Sequence, residues 1–260
     1  PAPMQAAHPA SDPETAFDCV PGAVAAPLVF LCDHASNAVP ARYGDLGLGA
    51  EQFARHIAWD IGAGALTRAL AAAFGAPAFL GRWSRLLVDL NRGAEDPTIV
   101  MRLSDGAIIP GNAGADAAEI AERIARYHRP YHRAIAAAID ASLGAGTAPT
   151  LVSMHSFTPA WKGDPRPWHV GILWARDPRL AVPLLEAFRA EPGLVVGDNE
   201  PYHGALEDDT MWTHGTQRGL PHALIEVRQD LIETAAGVAR MTDIVGRALR
   251  RALAQAGLPA

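Results

Sequence analysis

Cysteine is nearly missing from the chain, with only Cys19 and Cys32 in 260 residues. Neither belongs to a Cys-x-x-Cys pair. A disulfide scaffold and a thiolate zinc site are therefore excluded, and any zinc-type ion must be held by histidines and carboxylates. Basic runs are also missing. No stretch of Lys or Arg exceeds two residues and the net charge is −6, which excludes a nucleic-acid groove built on clustered cations. A local cationic pocket for an anionic small molecule stays open. No apolar run reaches about 18 residues, so no membrane span or membrane partner is expected. Residues 1–25 are rich in Pro and Ala, with no basic start and no signal-type apolar stretch. They read as a flexible N-terminal segment, and the scarcity of cysteine fits a soluble protein of a reducing cytoplasm.

What is present suits a folded enzyme. Hydrophobic residues make up 49% of the chain and charged residues 19%, enough to bury a sizeable core. Short apolar runs, Leu28–Cys32, Pro77–Leu80, Arg85–Leu90, Thr150–Met154, Val170–Trp174, Leu194–Val196 and Ala223–Val227, read as strands. Ala/Leu-rich stretches with helical spacing lie between them, over Glu51–Phe74, Ala115–Leu143, Ala181–Ala190 and Glu233–Ala256. This alternation predicts an α/β fold of three layers, a mostly parallel or mixed sheet with helices on both faces. Pro130 should kink or break the second helix. No repeat or linker divides the chain, so residues 26–260 read as a single catalytic α/β domain.

In such sheets ligands bind beyond the carboxyl ends of the strands. Four run ends carry reactive groups: Asp33-His34, Asn91-Arg92, His155-Ser156, and Glu226 with Arg228. Imidazole is the commonest metal ligand, so His34 and His155 at two strand ends suggest a divalent metal site. A catalytic zinc takes a third protein ligand, for which Asp60 on the following helix, His56 one turn earlier and Asn37 all compete. Glu226 sits in an otherwise apolar strand, where an unpaired carboxylate is costly. Near a metal it would deprotonate the bound water and pass the proton to a leaving nitrogen. Arg228 shares its face of the strand, as an ion-pair partner or a second catalytic group. Arg85, Asn91 and Arg92 offer guanidinium forks and an amide for a substrate carboxylate, with Asp89 orienting one Arg.

The motifs Asp33-His-Ala-Ser-Asn37, Arg85-Leu-Leu-Val-Asp-Leu-Asn-Arg92, His155-Ser-Phe157 and Leu220-Pro-His-Ala-Leu-Ile-Glu-Val-Arg-Gln-Asp230 occur in this order. Together the chain from about Leu28 to Ile232 resembles the N-formylglutamate amidohydrolase family. The resemblance implies a zinc-exopeptidase-like fold and hydrolysis of an N-formyl amide to formate and an amino acid, a step of amino-acid catabolism such as histidine degradation. It also implies that the partner is a small N-acyl amino acid carboxylate. The chain is similar, more distantly, to zinc carboxypeptidases, with their His, Asn-Arg, His-Ser and catalytic Glu. Metal-dependent peptidoglycan amidases carry a strand like Pro221–Glu226 and a ligand carboxylate on the first helix, which ranks Asp60 above Asn37.

Other clusters have open roles. His128 and His132 stand four residues apart around Pro130, as a second metal site or a polar pocket wall. Tyr202, His203 and His214 lie on loops able to close over substrate, with Tyr202 and His214 as candidate donors to a developing oxyanion. Rival readings are an amidase or carboxypeptidase-like hydrolase for another N-acyl amino acid or short peptide, and a non-catalytic binding protein of the same fold.

Overall fold

The computed structural model describes residues 15–23 and 25–259. Strands β1 (Phe17–Val20), β2 (Leu28–Cys32), β3 (Ala78–Gly81), β6 (Thr150–Phe157), β9 (Val170–Leu173), β10 (Val196–Asp198) and β11 (His222–Arg228) form the central sheet. Two small hairpins, β4 (Leu103–Ser104) with β5 (Ala107–Ile108) and β7 (Ala160–Trp161) with β8 (Asp164–Pro165), stand apart from it. The order across the sheet is β1-β3-β2-β6-β11-β9-β10. β3, β2, β6 and β11 run parallel, β1 pairs antiparallel with β3, and β9 with β10 runs antiparallel to β11. The sheet is mixed.

Central strands are covered on both faces and so read as unbroken apolar runs. Leu28, Phe30 and Cys32 of β2 enter one core cluster, while Val29 and Leu31 enter the other. The first cluster packs under α2 (Ala63–Phe74), α6 (Pro178–Arg189) and α7 (Ala235–Ala256). The second packs under α4 (Ala117–Arg123) and α5 (Arg129–Gly144), together with the loops between α1 (Ala50–Phe53) and α3 (Pro110–Ala113). This is the three-layer arrangement that the β–α alternation predicts. No helix of the described residues is long and apolar enough to cross a membrane.

Four local expectations need correction. Arg85–Leu90 is a buried loop, not a strand. Its apolar side chains join the second core, and its backbone is satisfied by isolated backbone bonds, such as Asp89 N–H to the Ile99 carbonyl (2.8 Å), and by side chains instead of a ladder. Asn112 Nδ2 donates to the carbonyls of Leu86 (2.7 Å) and Met101 (2.8 Å), and the buried Arg123 donates to that of Leu87 (3.1 Å). Buried backbone groups need such partners wherever the ladder is absent.

Second, Glu51–Phe74 is not one helix. It breaks between Phe53 and Ala63, where Asp60 N–H reaches the His34 carbonyl (2.9 Å) and Gly62 adopts φ 80°. A Cβ on Gly62 would stand 2.2 Å from the Ile232 carbonyl oxygen, so only glycine fits there. Third, Pro130 does not break its helix. A π turn over Ile124–His128, with Arg129 N–H bonded to the Ile124 carbonyl, joins α4 to α5 and makes room for the proline ring. Fourth, within the stretch expected to be loose, Phe17–Val20 forms the edge strand β1; residues 1–14 of that stretch lie outside the described residues.

Candidate metal centre

Strand register brings the first two groups together. His155 and Glu226 are direct partners on the neighbouring parallel strands β6 and β11. Side chains alternate faces along a strand. Leu151 and Leu224, each an even number of positions from these residues, belong to the second core, so both polar groups face that side. His34 follows β2 directly, and the turn before α2 adds Asp60. One ligand atom from each of His34, Asp60 and His155 lies within 4.8 Å of the others. All three residues are buried.

The hydrogen bonds around these imidazoles decide which nitrogen is free. His34 Nε2 lies 2.7 Å from Asp89 Oδ1 and must donate to it. His155 Nε2 likewise donates to Asp33 Oδ2 at 3.1 Å. The Nδ1 atom of each ring then points toward Asp60, at 3.4 Å for His34 and 2.8 Å for His155. Buried His34 Nδ1 has no hydrogen-bond partner. Carboxylates that fix the far nitrogen of a ligating histidine are the usual support of a metal site. The supports are themselves held: Asp33 accepts from Tyr131 Oη (2.9 Å) and Thr210 Oγ1 (2.8 Å), and Asp89 from Arg85 Nη2 (2.8 Å) and the Asn91 N–H (2.9 Å).

Charge points the same way. Asp33, Asp60 and Asp89 are buried together, and Arg85 is the guanidinium that contacts two of them. Three carboxylates against one guanidinium leave two negative charges when both imidazoles are neutral, which suits a divalent cation. Without one, the imidazoles take up the charge. Burial works against protonated His155, but its bonds to Asp33 and Asp60 override that and raise its pKa well above the ordinary value. His34 is raised by Asp89 and Asp60 against the opposition of burial and Arg85. Asp33 meets the same burial penalty, yet the His155 contact brings it down to about 2. The donor set of two imidazole nitrogens and a carboxylate, with an orphaned nitrogen among them, fits a zinc-type ion.

Glu226 differs from these carboxylates. Burial pushes its pKa up to about 7, His155 pulls it down and Asp60 raises it again. Its buried Oε2 has no hydrogen-bond partner. A carboxyl group poised near neutrality beside an open acceptor position is suited to proton transfer. Gly171 makes this possible on the adjacent strand β9, opposite Glu226. A Cβ there would lie 2.0 Å from the Glu200 carbonyl oxygen, so the glycine lets the Glu200–Tyr202 loop approach.

Arg85, His56, Trp161, Arg166 and Tyr202 ring the mouth. His56 stacks edge-on to Trp161, with ring centroids 5.8 Å apart. Arg166 lies 5.5 Å over Trp161 and 5.0 Å over Tyr202, and donates to Tyr202 Oη at 3.1 Å. Burial and then the charge of Glu226 raise the Tyr202 pKa, which ties this phenol to the base. Arg166 was not singled out in the sequence. It sits in an exposed hairpin with no flanking motif, and only the fold brings it here.

The other sequence candidates add no atom to the ligand set. Asn37 donates to the Phe53 carbonyl (2.8 Å), and His56 faces Asp105 (3.5 Å), so neither joins the ligand set. Asn91 accepts from the Thr210 N–H (3.1 Å), and Arg228 is engaged by Asp230 (2.8 Å) and the Arg166 carbonyl (3.2 Å). His203 caps its own loop through the Ala205 N–H. His214 is buried against His132, with Nε2 and Nδ1 2.9 Å apart and the rings stacked at 5.2 Å. Arg92 opens with His128 and His132 onto a separate cavity.

Proteins of known sequence and structure resemble this chain. A gene product of Agrobacterium tumefaciens of known structure is 33% identical, covering 94% of this chain and 96% of its own, with a TM-score of 0.87. The N-formylglutamate amidohydrolase of Ralstonia eutropha has the same fold at 21% identity and a TM-score of 0.70, over 92% of this chain and 97% of its own. No curated protein sequence matches. The family model of N-formylglutamate amidohydrolase matches residues 26–233, a span holding every residue of the metal cluster and its mouth, and the chain belongs to that family.

Proposed function

We propose that the protein hydrolyses the amide of an N-acyl amino acid, with the N-formyl group as its first substrate class and N-formylglutamate as the leading member. The observation that carries this reading is Glu226, poised near neutral pH beside the His34–Asp60–His155 cluster. A zinc ion held by those three residues would supply Lewis-acid polarisation of the acyl oxygen and a water of lowered pKa. Glu226 takes the proton of the attacking water and returns it to the amide nitrogen as the C–N bond breaks. Arg166, which pairs with no carboxylate among the described residues, anchors the substrate carboxylate at the mouth. Arg85, paired with Asp89 and 3.6 Å from Asp60, sets the field between the anchor and the cluster. Tyr202 covers the site from the loop that Gly171 admits.

The test is formate release from a panel of N-formyl amino acids by zinc-loaded protein, alongside the same amino acids carrying N-acetyl groups. Formate release with preference for acidic amino acids supports the full reading. Acetate release without formate keeps the hydrolase and changes its acyl group. Inertness toward the whole panel rejects the proposal. Glu226→Gln keeps the shape and the zinc but removes the proton acceptor, and turnover should fall by ~10²–10⁴-fold.

A further inference from the structure

We infer, on the reading of His34, Asp60 and His155 as metal ligands, that Thr210 is a positioning residue that sets both imidazoles at once. An unbroken chain of hydrogen bonds joins the far sides of the two rings. His34 Nε2 donates to Asp89 Oδ1 at 2.7 Å, and the same oxygen accepts the Asn91 N–H at 2.9 Å. Asn91 Oδ1 in turn accepts the Thr210 N–H at 3.1 Å, and Thr210 Oγ1 donates to Asp33 Oδ1 at 2.8 Å. Asp33 Oδ2 accepts from His155 Nε2 at 3.1 Å. Thr210, with no exposed surface, is where the two halves meet.

Local structure explains why this residue has two donors to give. Thr210 opens the helical turn that runs into a π turn over Trp212–Thr216. N–H groups of a first turn have no partner within their own helix. The Asp209 carboxylate takes that of Trp212 at 2.7 Å, and the Thr210 N–H goes to Asn91. The hydroxyl has a single proton. Leu90 offers it a carbonyl at 3.3 Å, but that oxygen already accepts from His132 Nε2 at 2.9 Å. The nearer, charged Asp33 therefore takes the proton.

The bridge gives Asn91 a use other than substrate binding: its backbone serves Asp89 and its side chain serves Thr210. Tyr131 Oη also supports Asp33, at 2.9 Å, without entering the chain. Members of one hydrogen-bond network are held by one another, so removing two of them does not give the sum of the separate effects. With the bridge intact, freeing either support carboxylate loosens the other ring as well. The two imidazoles then behave as one unit toward a metal, although they stand on strand ends 121 positions apart in sequence.

The experiment is competitive chelator titration of the full chain with zinc. Thr210→Val keeps the shape and removes the hydroxyl, and should weaken zinc about tenfold, the low end for lost support of a ligating histidine. Thr210→Ser keeps the donor and should stay within about twofold of wild type. In the otherwise wild-type chain, Asp33→Asn combined with Asp89→Asn should cost less than the product of the two single losses, by roughly threefold or more. Asn91→Ala cuts the bridge between intact supports, and in that background the two losses should multiply. Tyr131→Phe leaves the bridge in place, and there the shortfall should persist. Losses that multiply in the wild-type chain overturn the inference. So does a Thr210→Val protein with wild-type affinity, or a Thr210→Ser protein as weak as Thr210→Val. A wild-type chain that takes up no zinc overturns the metal reading together with it.

Discussion

Two pairs of histidines, His34 with His155 and the buried His214 with the half-buried His132, are tuned in opposite directions. His34 and His155 have carboxylates on both sides, so their pKa values are raised. His132 and His214 have each other and the Leu90 carbonyl. Burial, with nearby His128 and His214 adding to it, pushes His132 down to about 3, and burial brings His214 down to about 4. The lesson is that burial alone makes an imidazole neutral and inert. Here the buried carboxylates beside His34 and His155 make the difference, because they leave negative charge for a metal to neutralise.

The strongest way to break the comparison is to remove a ligand from the first pair. His155→Ala and His34→Ala should each abolish stoichiometric zinc after dialysis, measured by atomic absorption, with circular dichroism unchanged. Retained zinc in either variant would remove that residue from the site. His214→Asn, by contrast, should leave zinc content at the wild-type level.

A finer version removes the carboxylates and leaves the rings. Asp33→Asn and Asp89→Asn should weaken zinc binding by ~10–100-fold in competitive chelator titrations, the range for lost support of a ligating histidine. Unchanged affinity in both variants would mean that ring orientation comes from packing alone.

The second pair should make the fold acid-sensitive. Both rings stay neutral in the native state but protonate near pH 6.5 once unfolded. Acid therefore favours the unfolded chain from about pH 6.5 down to about 4 for His214 and about 3 for His132. Each ring costs ~1.4 kcal/mol per pH unit over that window. Asp209, raised to about 6 by burial, acts in the opposite sense. Urea midpoints of wild type and His214→Asn between pH 7 and 4.5 isolate the histidine contribution, which should flatten the slope. Identical slopes would show that the pair is not neutral in the fold. The smallest effect belongs to Asn37→Ala. Losing one hydrogen bond to the Phe53 carbonyl should cost ~1 kcal/mol of stability and leave zinc affinity within twofold.

The chain reveals some parts of this site and hides others for physical reasons. His34, His155 and Glu226 stand out because polar groups at the ends of apolar runs have few structural uses. Asp60 is legible as a carboxylate that can turn back, although it sits in the turn before α2 and not on a helix face. The pairing of supports is not legible. Asp33 and His34 are consecutive, yet Asp33 serves His155, and His34 is served by Asp89, 55 residues away. The loop holding Asp89 has the apolar pattern of a strand, since a buried loop needs the same side chains. Nothing in its periodicity shows that Asn112 and Arg123 satisfy its carbonyls. The sheet's central strands were readable, but β1 was hidden in a stretch whose composition suggested looseness.

The π turn at Ile124–His128 has a consequence for how this helix tolerates change in length. Before it, Arg123 holds the Leu87 carbonyl; after it, Tyr131 holds Asp33. A π turn carries one residue more than the α-helical path it replaces, and each residue rotates a helix by about 100°. The two contacts are therefore set at a fixed phase to one another. Deleting a single residue within the turn would leave a continuous α-helix with both halves still facing as they do now, whereas inserting one more would rotate them about 100° apart. The helix can thus lose a residue here and keep both the loop under Asp89 and the support under His155, but gaining one would free one of them and unmake the metal cluster at a distance.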